Sequence, residues 1–163
     1  MASPAPFATP IQIRAGGVED LDEVMRIMGR AFRPCFGEGW TRSQCAGILP
    51  MSGVTLTIGE DDGNAIGFAL ARAVSDEAEL LLIAVDPERQ GHGAGSSLLQ
   101  DFIATARSGG ASRLHLEVRD GNPAVDLYRA VGFVPAGRRR NYYRGPDGKR
   151  YDAVTLMLIE DTP

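Results

Sequence analysis

The stretch from Glu79 to Val118 limits the possible folds more than any other part of the chain. Glu79–Val85 is a nearly continuous apolar run, the pattern of a strand covered on both faces. The Gly-rich segment Asp86–Gly95 follows it. Ser96–Arg107 then sets Leu98, Leu99, Phe102, Ile103 and Ala106 on one helical face, and Gly109-Gly110 stops that helix. Arg113–Val118 reads as a second strand. A buried strand, an amphipathic helix and another strand predict a β-α-β unit with parallel strands and a right-handed crossover.

The flanking elements are of mixed type. Ile11–Arg14 alternates like a short strand, and Val18–Ala31 carries a helical stripe of Leu21, Val24, Met25, Met28 and Ala31. Arg33–Gly39, with Pro34, Gly37 and Gly39, breaks the helix. A short helix begins at Trp40 or Thr41, with Thr41 as its cap. Val54–Glu60 and Ala65–Val74 flank Asp61-Asp62-Gly63-Asn64, a strong hairpin turn. Asn122 reads as an N-cap and Pro123 as the first residue of a helix that continues through Leu127, Tyr128 and Val131 and ends at Gly132. Phe133–Pro135 and Tyr151–Ile159 are expected as closing strands around a polar loop containing Pro146, Asp147 and Gly148. The 163 residues suit one domain, residues 11–160, behind a flexible leader, residues 1–10, that contains Pro4, Pro6 and Pro10.

Composition removes several function classes. No apolar run is long enough to span a membrane, and the first residues lack the pattern of a signal peptide, so a cytoplasmic protein with no membrane role is expected. A net charge of −4 argues against direct nucleic-acid binding. Cys35, Cys45, His92 and His115 do not have the spacing of a metal site or a disulfide framework, so no metal is expected. Arg138, Arg139, Arg140, Arg144, Lys149 and Arg150 crowd together as either a solvated face or a contact surface.

The loop Gln90-Gly91-His92-Gly93-Ala94-Gly95 carries the chemistry. Glycines let backbone N–H groups approach an anion without a Cβ in the way, and the helix behind adds free donors and a positive dipole end. The pair suits a pyrophosphate. It is not a P-loop, since no Gly-Lys-Ser/Thr follows. Gly91, Gly93 and Ser96 imitate a dinucleotide fingerprint, with Glu117 about 20 residues on. However, Asp86–Gln90 separates the strand from the first glycine, and too little chain remains for a doubly wound sheet.

The loop resembles the Gln/Arg-x-x-Gly-x-Gly/Ala motif of the GNAT acetyltransferases. A second block, Leu116–Phe133, is similar to that family's Asn-x-x-Ala-x-x-Leu-Tyr-x-x-x-Gly-Phe signature. The resemblance implies a single-domain α/β GNAT fold, with a central mixed sheet of about seven strands flanked by about four helices. It implies acetyl-CoA as cosubstrate, with Gln90, Gly91, His92, Gly93, Ala94, Gly95 and Ser96 around its pyrophosphate. It also implies a bulged strand Ile83-Ala84-Val85 along the pantetheine arm and a contact from Asn122, which caps its helix as well. Tyr128, which could otherwise be a plain core aromatic, becomes the proton donor to the leaving thiolate.

Acetyl transfer needs a neutral amine, hence a base. Glu117 is the candidate, on the strand facing the cofactor and with no cationic neighbour on its own side of that strand. The competing reading is a surface carboxylate paired with Arg119. Within the family, Leu116-Glu117-Val118-Arg119, Arg139-Arg140-Asn141-Tyr142-Tyr143, Asp152-Ala153 and Trp40-Thr41 are similar to the RimI group, the ribosomal-protein alanine N-acetyltransferases. That likeness implies direct transfer to a protein N-terminal α-amine, with a ribosomal protein as partner and no acetyl-cysteine on Cys35 or Cys45. The alternatives are acetylation of a small amine or a lysine side chain, and a non-catalytic CoA-binding sensor.

Overall fold

The computed structural model describes residues 11–159; the expected leader and residue 160 lie outside the described residues. The elements follow in the order β1 (Gln12–Gly16), α1 (Leu21–Ala31), α2 (Arg42–Ile48), β2 (Val54–Asp61), β3 (Asn64–Val74), β4 (Glu77–Val85), α3 (Ala94–Ser108), β5 (Arg113–Arg119), α4 (Val125–Ala130), β6 (Val134–Arg144) and β7 (Arg150–Ile159). The seven strands form one sheet in the order β1-β2-β3-β4-β5-β7-β6. Only β4 and β5 are parallel neighbours, and α3 is the crossover between them, as the central pattern predicts.

Two apolar layers enclose the sheet. Leu21, Val24, Ile27 and Met28 of α1 and Cys45 of α2 pack on one face against Leu56, Ile58, Phe68 and Leu70. Leu98, Leu99 and Phe102 of α3 and Tyr128 of α4 cover the other face with Ala69, Leu80, Leu114, Leu116 and Leu156. Strand parity explains the split in β3, where Phe68 and Leu70 face one layer and Ala69 and Ala71 the other.

In β4 the parity breaks. Leu80 packs in the α3 layer, yet Leu82 and Ala84 pack in the α1 layer. The ladder explains the change: Leu70 opposes Leu82 and Ala71 opposes Leu80, so Leu81 is an extra residue. Such a bulge turns every later side chain to the opposite face. It lies two residues ahead of Ile83-Ala84-Val85, the stretch for which the family resemblance implied a bulge.

Two further expectations are corrected. The expected helix at Asn122-Pro123 starts later, at Val125, because bonds from Val125 N–H to Asn122 O (3.2 Å) and from Asp126 N–H to Pro123 O (3.1 Å) close tighter turns first. The strand expected to end at Pro135 continues to Arg144. It is an almost wholly exposed edge strand, so it has no apolar alternation to announce it.

Candidate active site

β4 and β5 pair from Glu77–Arg113 to Leu80–Leu116 and no further, although β4 continues to Val85 and β5 to Arg119. Past the bulge at Leu81 the two strands splay. The opening between them leads into a groove of about 650 Å³ lined by Ile83, Ala84 and Val85 on one side and Asn122, Pro123 and Leu127 on the other. That size is ordinary for a small-molecule site.

The glycine loop closes one end of the groove. Gln90, Gly91, Gly93, Ala94, Gly95 and Ser96 all line it, with the strand and Asn122. His92 is the one expected cofactor residue outside that lining. The Gln90 side chain donates to Val85 O (3.0 Å) and pins the loop to the strand end. Gly93 caps α3 at φ +93°, a conformation that side chains rarely adopt. The first intrahelical bond runs from Ser97 N–H to Gly93 O (3.0 Å). The N–H groups of Ala94, Gly95 and Ser96 precede it and point out of the helix end. A pyrophosphate fits this cradle: donors converge there, and a Cβ built on Gly93 meets no protein atom within 4 Å.

A smaller cavity of about 100 Å³ adjoins the groove and shares Phe32, Glu38, Ile83, Asn122 and Ala124 with it. Glu117, Tyr128, Tyr142 and Tyr143 also line it, with Trp40 and the β4 and β5 strands around them. The Glu117 side chain is 7% exposed. Its Oε2 accepts from the Thr155 hydroxyl (2.7 Å), directly opposite it on β7, and its Oε1 lies 3.1 Å from Arg139 Nε. The expectation of no cationic neighbour is therefore wrong. Arg139 reaches Glu117 from β6, across β7, and alternation within β5 cannot register that. The competing reading, a pair with Arg119, is also wrong, because Arg119 turns to Glu38. Each carboxylate oxygen keeps a second acceptor site after these bonds.

Tyr128 is 6% exposed and packs edge-on against Phe133, with ring centroids 6.1 Å apart. Burial, and after it the negative charge of Glu38, push its phenol well above the ordinary tyrosine range. The group stays neutral at physiological pH and is available as a donor. Tyr143 is pushed up in the same way, chiefly by burial, and its hydroxyl donates to Glu117 O (3.2 Å). Sequence reasoning missed Glu38 and Thr155 as site residues. Nothing in a Gly-rich loop or a closing strand marks either one before the strand register is known.

The sequence pattern of the Acetyltransferase (GNAT) family matches residues 21–133, from α1 through the end of the α4 block. The chain belongs to the GNAT acetyltransferase family. The ribosomal protein bS18-alanine N-acetyltransferase of Escherichia coli strain K12 is 44% identical over 98 residues, 60% of this chain and 66% of that protein. The match thus spans slightly less than two thirds of that relative's length. A Bacillus subtilis relative is 33% identical over 137 residues, 83% of this chain and 88% of its own. The crystal structure of the ribosomal-protein-S18-alanine N-acetyltransferase from Escherichia coli superposes with a TM-score of 0.82 at 33% identity, covering 94% of this chain and 96% of that one. No helix among the described residues is long and apolar enough to cross a membrane.

The GNAT loop allows a direct test. Gly93→Val forces a β-branched residue to φ +93° and fills the space a phosphate would take. Charge-assisted bonds of about 1.5–3 kcal/mol each are at stake, so acetyl-CoA affinity measured by calorimetry should fall roughly 10–100-fold. Gly95→Val is expected to act in the same direction. Its first carbon meets only ordinary contacts, Leu127 at 3.4 Å and Val85 at 3.8 Å, and a thermal melt checks that the branched side chain leaves the fold intact. Unchanged affinity in both folded variants would move the phosphate site elsewhere.

Proposed function

We propose that this chain transfers the acetyl group of acetyl-CoA directly to the N-terminal α-amine of a protein, with a ribosomal protein as the acceptor. The observation that carries the reading is the junction of two cavities. One ends in the glycine loop, and the other holds Glu117 and Tyr128 beside the same splayed strands. The names of the Escherichia coli relatives support the choice of acceptor.

Acetyl-CoA supplies the activated acyl group. The backbone of Gly91–Ser96 holds its phosphates, Ile83–Val85 offers backbone groups along the groove, and Asn122 forms the facing wall. Glu117 takes a proton from the entering ammonium, directly or through water, so that a nitrogen lone pair is free to attack. As the C–N bond forms and the C–S bond breaks, Tyr128 gives its proton to the departing sulfur and regains one from the nitrogen, which sheds its second proton on becoming an amide. The acceptor amine enters the smaller cavity, about 100 Å³, beside Glu117 and Tyr128. Cys45 is buried and Cys35 exposed, and neither lines either cavity, which favours direct transfer over an acetyl-cysteine.

The test offers acetyl-CoA with two versions of one peptide, one with a free α-amine and no lysine, the other with a blocked α-amine and one lysine. Mass spectrometry is expected to find the acetyl group on the free α-amine alone. Preferential labelling of the lysine version would replace this reading with lysine acetylation. Tight binding without release of CoA across a panel of amines would indicate a sensor.

A further inference from the structure

Glu38 comes from the loop between α1 and α2, and its side chain is 9% exposed. A carboxylate that deep needs partners. Oε1 accepts from Arg119 Nε (3.0 Å) and Oε2 from Asn122 Nδ2 (2.7 Å). From the same loop, Phe36 lies under the Arg119 guanidinium, 3.6 Å from ring centroid to Cζ. The loop backbone also presses on the β6–β7 turn: a Cβ on Gly37 would stand 2.0 Å from the Arg144 carbonyl oxygen, and one on Gly145 would stand 2.1 Å from that of Cys35. Among the described residues, Glu38 is the only charged side chain that lines both cavities.

We propose that Glu38 is a positioning residue for acetyl transfer: it fastens the α1–α2 loop to Asn122 and Arg119 and so fixes α4, with Tyr128, at the junction of the two cavities. The proposal rests on the function given above. Its physical basis is the direction of one amide. With Nδ2 of Asn122 donating to Glu38, Oδ1 is turned to accept from Ala124 N–H (2.9 Å) just ahead of α4. The flipped amide would face Glu38 with an oxygen and Ala124 with an NH₂ group, losing both bonds. α4 has six residues, too few to hold itself in place, so such anchors decide where it sits. The charge of Glu38 also helps to keep the Tyr128 phenol neutral, second to burial.

A double-mutant cycle tests the proposal. Glu38→Gln keeps the shape but sets an NH₂ group against one of two donors. Coenzyme A affinity is read by calorimetry and kcat with the free-amine peptide, beside the melting temperature. Glu38→Gln and Asn122→Ala should each weaken coenzyme A binding and lower kcat roughly tenfold, the scale of one charge-assisted bond. Because they break the same link, the double variant should be little worse than either single one. Glu38→Asp, which retains the charge, should recover part of the loss; if Glu38→Gln does not fold, Glu38→Ala takes its place in the cycle. Two results overturn the proposal: a lower melting temperature with wild-type affinity and kcat, or losses that multiply in the double variant. Should the wild-type protein bind coenzyme A but acetylate no peptide, the function reading fails and the binding cycle still decides the role of Glu38.

Discussion

Glu117→Gln is expected to slow acetyl transfer by roughly 10²–10⁴-fold near neutral pH and to regain part of that rate as pH rises past about 8. Glutamine preserves the size of the side chain and can still accept from Thr155, whose hydroxyl now meets Oε2 at 2.7 Å. It cannot carry the proton away from an ammonium. An α-amine titrates near ~8, so above that pH most of the acceptor arrives neutral and the missing base matters less. Recovery with pH therefore marks lost proton removal rather than lost binding. Arg139 loses its anionic partner in this variant, but it is 62% exposed and water can solvate it, so the fold should survive. A pH–rate profile for kcat/KM, beside a thermal melt, reads the result. A wild-type rate and profile in a folded variant would take the base role away from Glu117.

Tyr128→Phe should show a comparable loss, of order 10²–10⁴-fold at most, with no recovery at high pH. The ring remains to pack on Phe133, and the carbonyl of residue 128 still accepts from Phe133 N–H (3.1 Å), so the change isolates the hydroxyl. Because burial and Glu38 hold the phenol neutral well above its ordinary range, the wild-type donor persists across the whole profile. The variant lacks it at every pH. A thiolate is a fairly stable leaving group, with a free-thiol pKa near ~8.5, which places the loss toward the lower part of the range. Recovery with pH in Glu117→Gln but not in Tyr128→Phe would separate proton removal from proton return. Parallel responses would put one proton path through both residues.

The readable parts of this molecule are those where one residue type has one structural use. The glycine loop ahead of an amphipathic helix, Thr41 as the cap of α2, and the Asp61-Asp62-Gly63-Asn64 hairpin turn all stand where local chemistry alone puts them. Leu81 shows the opposite case. A run of leucines has no alternation, so the extra residue that reverses the faces of β4 leaves no trace in the sequence, yet it orients the groove wall. Arg139 and Glu38 fail for a related reason: each meets its partner across an element that is distant in sequence, and a charge in a loop or on an edge strand reads first as solvated. The site was legible where the backbone makes it, and illegible where long side chains join separate elements.

The strand order has a consequence for how the protein is made. β7 follows β6 in the chain but lies between β5 and β6 in the sheet. As the chain emerges from the ribosome, every residue of the larger groove, through Leu127, is already out while the strand carrying Thr155 is still to come. Until that strand slots in, β5 presents a bare edge, β6 has no neighbour, and Glu117 lacks the hydroxyl that sets its carboxylate. The groove lined by the glycine loop is complete in the chain before β7 is made, whereas β6, which brings Tyr142 and Tyr143 to the smaller cavity, gains its neighbour only when β7 pairs with it.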